Sequence, residues 1–443
     1  MANLLTFERT KIVFSSLYLY IADKMVRDLP KNIEDGDRIR IEKDDRSYEG
    51  ILMPHHRFSG EDIITLKLDN GYNIGIEAGE EVKVELVEKK QEKPGRSGKR
   101  VEKDEDKPDV SILGTGGTIA SYVEYSTGAV HPAQDADDVL YSNPEIAERC
   151  NPEVDIVFSK LSENLQPDDW ITIADRVIEK LEGGAEGVVI SHGTDTMGYT
   201  AAALSFLLEN LSSPVVLVGS QRSSDRPSSD AHLNLLGAIE VAKSDNPGVF
   251  VVMHDSISDE RCAIHKGTKV RKMHTSRRDA FESVNEEPVG MVDPATGEVE
   301  FDKESEPAEK PVRRKGSIVE DVSLLYANPG MDKEDISGMR GKEGIVIAGT
   351  GLGHVRTDLA DELEDLIQGG TPVMMTSQCI FGTVNLNVYS AGRELLEAGI
   401  ISGKDMLPET AMVKLMWALS LEEDTEKVMK KNIAGEITDR RIR

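Results

Sequence analysis

Asp109-Val-Ser-Ile-Leu-Gly-Thr-Gly-Gly-Thr-Ile-Ala120 is the stretch that sets the fold. Its apolar run is too short for a helix and stops at a glycine turn. That is the pattern of a buried strand ending in a ligand-facing loop. The same texture recurs downstream. Val110–Leu113, Gly187–Ile190, Pro214–Gly219 and Val249–Met253 read as strands, and Asp168–Glu182, Tyr199–Glu209 and Ser229–Lys243 as helices. Alternation of this kind predicts an α/β protein with a doubly wound parallel sheet. A second α/β unit follows, with strands Gly344–Ala348 and Pro372–Thr376 and helices Asp358–Gln368, Gly392–Ala398 and Pro408–Leu419. Thr296–Arg314 is polar and charged and reads as an interdomain connection.

Upstream the pattern changes. Arg38–Ile41, Tyr48–Leu52, Ile63–Leu68, Tyr72–Ile76 and Val82–Leu86 are short and β-branched, and Asp69-Asn-Gly71 is a hairpin signal. They predict a small SH3-like β-barrel over 31–88. Residues 89–108 are almost devoid of apolar side chains and read as a linker. Residues 1–30 read as a disordered extension, or as sequence upstream of a true start at Met25, because charges interrupt any signal-like run. The expected division is then 109–305 for the first α/β domain, 306–315 for the connection and 316–443 for the second.

Acidic residues number 80 against 52 basic ones, a formal charge of −28. Such a surface repels nucleic acid as a whole, so any RNA contact needs a local basic patch or a partner. No stretch approaches the roughly 20 apolar residues of a membrane span, and a soluble, cytoplasmic protein is expected. Cys150, Cys262 and Cys379 lack CxxC spacing and read as reduced, buried thiols.

Three stretches carry chemistry. The glycine turn at 114–118 is not a dinucleotide fingerprint, since Ile119 replaces the third glycine, nor a phosphate loop, since it lacks Gly-Lys-Ser/Thr. Two threonines among glycines suggest a hydroxyl held for attack beside backbone donors. Ser191-His-Gly-Thr-Asp-Thr-Met197 sets a hydroxyl and a carboxylate side by side; read alone, Asp195 is equally a helix cap. Val270-Arg-Lys-Met-His-Thr-Ser-Arg-Arg-Asp-Ala-Phe281 offers a lysine for proton transfer; read alone, it is a surface cationic run.

In this order the three motifs resemble the L-asparaginase family, from Asp109 to the C-terminus. The resemblance implies a two-domain asparaginase-like fold and a threonine-based amidohydrolase. It implies Thr118 as primary nucleophile, Tyr125 as its mobile support, and Gly117 and Gly193 as substrate-binding positions in the loops. Thr194 and Asp195 match the second threonine and its carboxylate neighbour. Lys272 matches the lysine because it stands nine residues before Phe281, with Lys266 as the rival. Ser162 and Glu163, eight and seven residues before Trp170, match the pair that grips the substrate's α-carboxylate and α-amino groups.

The N-terminal β module, Gln221–Asp230, Gly349–His354, Ser377–Cys379, Asn385–Tyr389 and Asn432–Ile437 are similar to the tRNA-dependent amidotransferase branch of that family. That resemblance implies glutamine as substrate and ammonia as the product handed to a partner, the amidotransferase E subunit, which acts on Glu-tRNA(Gln). It also implies a homodimer within a 2:2 heterotetramer, and tRNA(Gln) held mainly by the partner. This chain has no Walker loop, so no cofactor is expected in it, and ATP and Mg²⁺ belong to the partner. His354 departs from many stand-alone asparaginases, which place there an asparagine that reaches a neighbour's substrate. Asparagine preference and that contact therefore do not transfer by resemblance alone. The alternatives are a free-standing L-asparaginase with an accessory domain, and a non-catalytic scaffold.

Overall fold

A computed structural model describes residues 29–30, 32–53, 63–68, 73–78, 82–89, 103–116, 145–223 and 228–438, and the backbone of 121–124 and 129–132. The expected extension at 1–28 and most of the expected linker lie outside the described residues. Two compact units emerge, an N-terminal all-β module and the α/β remainder, and each has its own core.

In the module, alternation decides the pairing. Ile39 and Ile41 are buried while Arg38, Arg40 and Glu42 face outward, as a period of two requires. The antiparallel sheet runs Asn73–Glu77, Ile63–Lys67, Arg46–Leu52, Arg38–Lys43, Lys83–Glu88. Leu52, Leu66 and Ile76 complete its core. On the outer face Glu49 takes both Arg38 and Arg40, at 3.2 and 2.8 Å.

The larger unit is built on an eight-stranded sheet. Its order is Val299–Phe301, Gly290–Val292, Cys262–Lys266, Gly248–His254, Pro214–Val218, Gly187–Ser191, Asp109–Gly114, Asn151–Ile156. The last five strands are parallel, and all but the edge strand Asn151–Ile156 are largely apolar, as strands covered on both faces must be. The α/β class holds, with an addition: the first three strands join antiparallel and form one edge. The expected connection at 296–314 is corrected accordingly. Val299–Phe301 is that edge strand, and Arg313–Arg314 pairs with Leu208–Glu209. Both pieces are too short to show a period in a polar surround.

Strand order fixes where a site can form. From Asp109–Gly114 the chain crosses to Asn151–Ile156 on one side, while from Gly187–Ser191 it crosses to Pro214–Val218 on the other. The loops leaving these two adjacent strands diverge and open a crevice between their carboxyl ends, the switch point of an open α/β sheet.

A smaller parallel sheet follows, Val322–Tyr326, Gly344–Gly349, Val373–Ser377 and Ile401–Ser402. Helix Met197–Leu207 packs on helix Pro408–Ala418, and Phe206 stacks on Trp417 at 5.5 Å. One hydrophobic core therefore runs through both sheets. Two buried ion pairs lie within it: Lys269 Nζ to Asp405 at 2.6 Å and Lys414 Nζ to Glu436 at 2.5 Å. Glu436 also accepts the backbone N–H groups of Ile433 and Ala434, which fastens the C-terminal segment.

Removing one partner of such a pair leaves the other charge buried and uncompensated. Lys414→Met is expected to lower stability by about 3–5 kcal/mol, with Lys414→Met/Glu436→Gln losing less. Thermal unfolding of both variants beside the parent checks the ordering.

Candidate active site

Four strand-end loops converge at the switch point, and small residues let them. Thr115 donates its hydroxyl to the Ser191 carbonyl at 2.8 Å, joining the loop after Asp109–Gly114 to the neighbouring strand. Gly116 has φ of 113°, and a Cβ there would stand 2.1 Å from the Lys160 carbonyl oxygen. A Cβ on Gly193 would meet Ser162 Oγ at 2.8 Å, so the loop after Gly187–Ser191 lies directly on the Ser162 turn. Thr196 donates its hydroxyl to the Ser162 carbonyl at 2.8 Å and locks the two loops together. Gly219 touches Thr194 from the next strand; a Cβ there would be 2.8 Å from Thr194 Cγ2.

With its methyl group against Gly219, Thr194 has its hydroxyl free to face the hairpin of Val270–Lys272 and Phe281–Ser283. Lys272 reaches across from that hairpin. Its Nζ donates to Thr194 Oγ1 at 2.8 Å and to Asp195 Oδ1 at 2.9 Å. The Lys272 side chain is 15% exposed and that of Asp195 is 67% exposed. A pair so open to water adds little stability. Its effect is positional: one ammonium is held between a hydroxyl and a carboxylate. Asp195 is thus an ion-pair partner and not a cap, since the cap position of helix Met197–Leu207 is Thr196, with no side-chain capping bond.

Of the residues singled out from sequence, the structure brings together Thr194, Asp195 and Lys272, with Gly193 and buried Ser162 beside them. Glu163 is exposed on the same turn, within the short helix Ser162–Asn164. Gly117, Thr118 and Tyr125 lie outside the described residues; Tyr125 falls between the paired segments Ser121–Glu124 and Ala129–Pro132. Lys266, the rival lysine, pairs instead with Glu286 at 2.8 Å. The arginines of this stretch are also engaged: Arg271 with Glu409, Arg277 with Asp279, and Arg278 with Asp259. His354 stands edge-on to Tyr389, ring centres 5.5 Å apart.

Two buried framework residues lie inside the quoted motifs without having a role in the sequence reading. His192, fully buried beneath the loop, lies 2.9 Å from Thr200 Oγ1 through Nε2, and burial pushes its pKa down to about 4. Asp230, also buried, accepts the backbone N–H groups of Gln221 and Arg222. Cys150 and Cys262 are buried, with burial raising the Cys150 thiol to about 12, whereas Cys379 is exposed, contrary to expectation, on the loop after Val373–Ser377. Among the described residues no cluster of three His, Cys, Asp or Glu side chains is spaced to hold a metal ion, and no helix is long and apolar enough to cross a membrane.

An asparaginase-type α/β chain with its loops meeting at this switch point is the class that fold and site define. The family model for the asparaginase N-terminal domain matches residues 109–307, that for the glutaminase/asparaginase C-terminal domain 321–431, and that for the GatD N-terminal domain 33–87. Among solved structures, the thermostable L-asparaginase from Thermococcus kodakarensis superposes with a TM-score of 0.68 at 34% identity, covering 75% of this chain and all of that one. Among curated proteins, the D subunit of the glutamyl-tRNA(Gln) amidotransferase of Pyrococcus furiosus is 50% identical over 92% of this chain and 96% of its own length. Its counterpart from Methanobrevibacter smithii is 45% identical over 96% and 98%. The chain belongs to the family formed by these glutamyl-tRNA(Gln) amidotransferase D subunits.

A histidine held neutral by burial ties stability to pH. The unfolded chain protonates His192 near its ordinary value, while the folded chain resists until about 4. Stability from this group is therefore present above about pH 6.5 and is lost as pH falls through the window down to 4, at about 1.4 kcal/mol per unit. His192→Asn is expected to shrink the drop in unfolding temperature between about pH 7 and about pH 5. Thermal scans of both proteins at the two pH values check it.

Proposed function

We propose that this chain is the glutamine-hydrolysing component of a tRNA-dependent amidotransferase, using Thr118 as nucleophile. Thr118 Oγ attacks the side-chain carboxamide carbon of glutamine, and backbone N–H groups of the glycine loops stabilise the oxyanion. The C–N bond breaks as the nitrogen takes a proton, ammonia leaves, and an ester to Thr118 remains. Water then adds, the ester bond breaks, and glutamate departs with the threonine hydroxyl restored. Thr194, Lys272 and Asp195 form the proton-relay set, acting on Thr118 or on the hydrolytic water. Ser162 and Glu163 hold the α-carboxylate and α-amino groups, and Tyr125 supports Thr118.

The observation that carries this reading is the bridging of Thr194 Oγ1 and Asp195 by Lys272 Nζ at 2.8 and 2.9 Å beside Ser162 and Gly193. A hydroxyl held by a lysine that is itself held by a carboxylate suits acyl transfer to an oxygen nucleophile. The match of residues 33–87 to the GatD N-terminal domain favours the amidotransferase over a free-standing asparaginase. Ammonia passes to the E subunit, which activates Glu-tRNA(Gln) with ATP and Mg²⁺ and amidates it. This chain itself carries no cofactor. The working assembly is a homodimer within a 2:2 heterotetramer in the cytoplasm, with tRNA held mainly by the partner.

Ammonia release from glutamine is expected to rise when the E subunit and Glu-tRNA(Gln) are added, and Thr118→Ala, Thr194→Ala, Asp195→Ala and Lys272→Ala each to lose about 100-fold or more in kcat. Near-parental turnover in one variant removes that residue from the scheme. Efficient asparagine hydrolysis by the isolated chain, indifferent to partner and tRNA, would establish the free-standing asparaginase instead.

A further inference from the structure

Alternation along the short strand Val270–Lys272 puts Lys272 on the face opposite Lys269 and Arg271. Lys272 meets Thr194, while the other two pair with carboxylates of the second α/β domain. Lys269 Nζ donates to Asp405 Oδ2 at 2.6 Å, and Arg271 Nε stands 3.3 Å from Glu409 Oε1. Lys269 and Asp405 are both buried. An ammonium shielded from water has one place to rest, beside its carboxylate. The position of Asp405 therefore dictates where the Lys272 strand begins.

Asp405 lies in the turn after Ile401–Ser402 and grips more than that one side chain. Its carbonyl accepts from Asn285 Nδ2 at 3.0 Å, just past the return strand Phe281–Ser283. At the same end of the hairpin the Val284 N–H donates to the Lys269 carbonyl at 2.8 Å, closing the two legs together. Asp405 Oδ1 accepts the backbone N–H of Thr438 at 3.0 Å. The C-terminal segment Asn432–Thr438 also meets the turn that leads into the lysine strand. Thr268 Oγ1 donates to the Ala434 carbonyl at 3.0 Å, and a Cβ on Gly435, at φ of 78°, would stand 2.7 Å from Lys266 Cδ.

We propose that Asp405 is a positioning residue for amide hydrolysis, and that the C-terminal segment Asn432–Thr438 is the latch that holds it. Its role rests on Lys272 serving glutamine hydrolysis as proposed above. About 10 Å of extended strand separates the anchored Lys269 from Lys272, and so short a piece carries a shift at its base to its tip. The Lys272–Thr194 hydrogen bond, at 2.8 Å, has little slack. Without the Asp405 charge the buried Lys269 ammonium is drawn toward water, the strand base moves, and Lys272 withdraws from Thr194. Substrate grip is spared, because Ser162 and Glu163 sit on a separate turn tied to the Thr194 loop. The loss therefore falls on kcat and not on KM.

The test is steady-state glutamine hydrolysis by the full chain with the E subunit and Glu-tRNA(Gln), at a temperature where circular dichroism shows every variant folded. Asp405→Asn is expected to lower kcat about 30-fold with KM within about twofold. In a Lys272→Ala background the same substitution is expected to cause no further loss, because it acts through that lysine. Thr268→Val removes only a hydroxyl from the latch and is expected to lower kcat about fivefold. Where Asp405→Asn does not fold, Thr268→Val takes its place in both comparisons. Leu363→Ala, which truncates a core elsewhere in the second domain, is expected to keep parental kcat although it destabilises the chain. Parental kcat in Asp405→Asn beside an inactive Lys272→Ala, further loss in the double variant, a loss confined to KM, or an equal loss in Leu363→Ala would each overturn the proposal. Parental turnover in Lys272→Ala would instead remove the lysine from the reaction, and this role of Asp405 with it.

Discussion

The site depends on one lysine ammonium being held between a hydroxyl and a carboxylate that lie on a different strand end. Lys272 and Thr194 stand 78 residues apart in sequence and 2.8 Å apart in space. Bringing them together takes a sheet whose central loops diverge, so that the crevice stays open, and a separate hairpin that carries the lysine to it. It also takes backbones that approach one another more closely than side chains permit. Gly116, Gly193 and Gly219 each occupy a place where a Cβ would clash with Lys160, Ser162 or Thr194. The glycines are thus part of the positioning of the reactive groups, and replacing one would displace a neighbouring loop.

The rest of the larger unit holds that hairpin still. Lys269 lies three residues before Lys272 and is buried in a pair with Asp405, in the turn that follows the last strand of the second sheet. Asp405 also accepts the backbone N–H of Thr438, and its carbonyl accepts from Asn285 at the end of the hairpin. One carboxylate residue therefore ties together the base of the lysine strand, its return strand and the C-terminal segment. Buried ion pairs are weak evidence for stability, but they discriminate strongly against arrangements that leave one charge unpaired. The packing of Met197–Leu207 on Pro408–Ala418 supplies the apolar part of the same junction.

Much of this is legible in sequence because the signals are local. Strand ends marked by glycine, hydroxyl and carboxylate residues point to the crevice before any strand order is known. The all-β module shows itself through alternation at Ile39 and Ile41. What is not legible depends on partners distant in the chain. Val299–Phe301 carries three residues of pattern inside a polar stretch, so its place at the sheet edge comes only from pairing with Gly290–Val292. Val322–Tyr326 likewise gains its assignment only from its neighbour in the second sheet. The preference for Lys272 over Lys266 rests on an offset from Phe281, and only coordinates give Lys266 its own carboxylate, Glu286. Asp195 reads equally well as a cap, because capping and ion pairing ask for the same residue type.

If Lys272, Thr194 and Asp195 act as one unit, their contributions to catalysis cannot be independent. A double-mutant cycle on kcat/KM for glutamine, with Lys272→Ala and Asp195→Ala made singly and together, measures that directly. The account predicts that the double variant falls no further than the worse of the two single variants. Losses that multiply would mean that the two side chains serve separate tasks, and the bridged ammonium would not be the element on which the site depends.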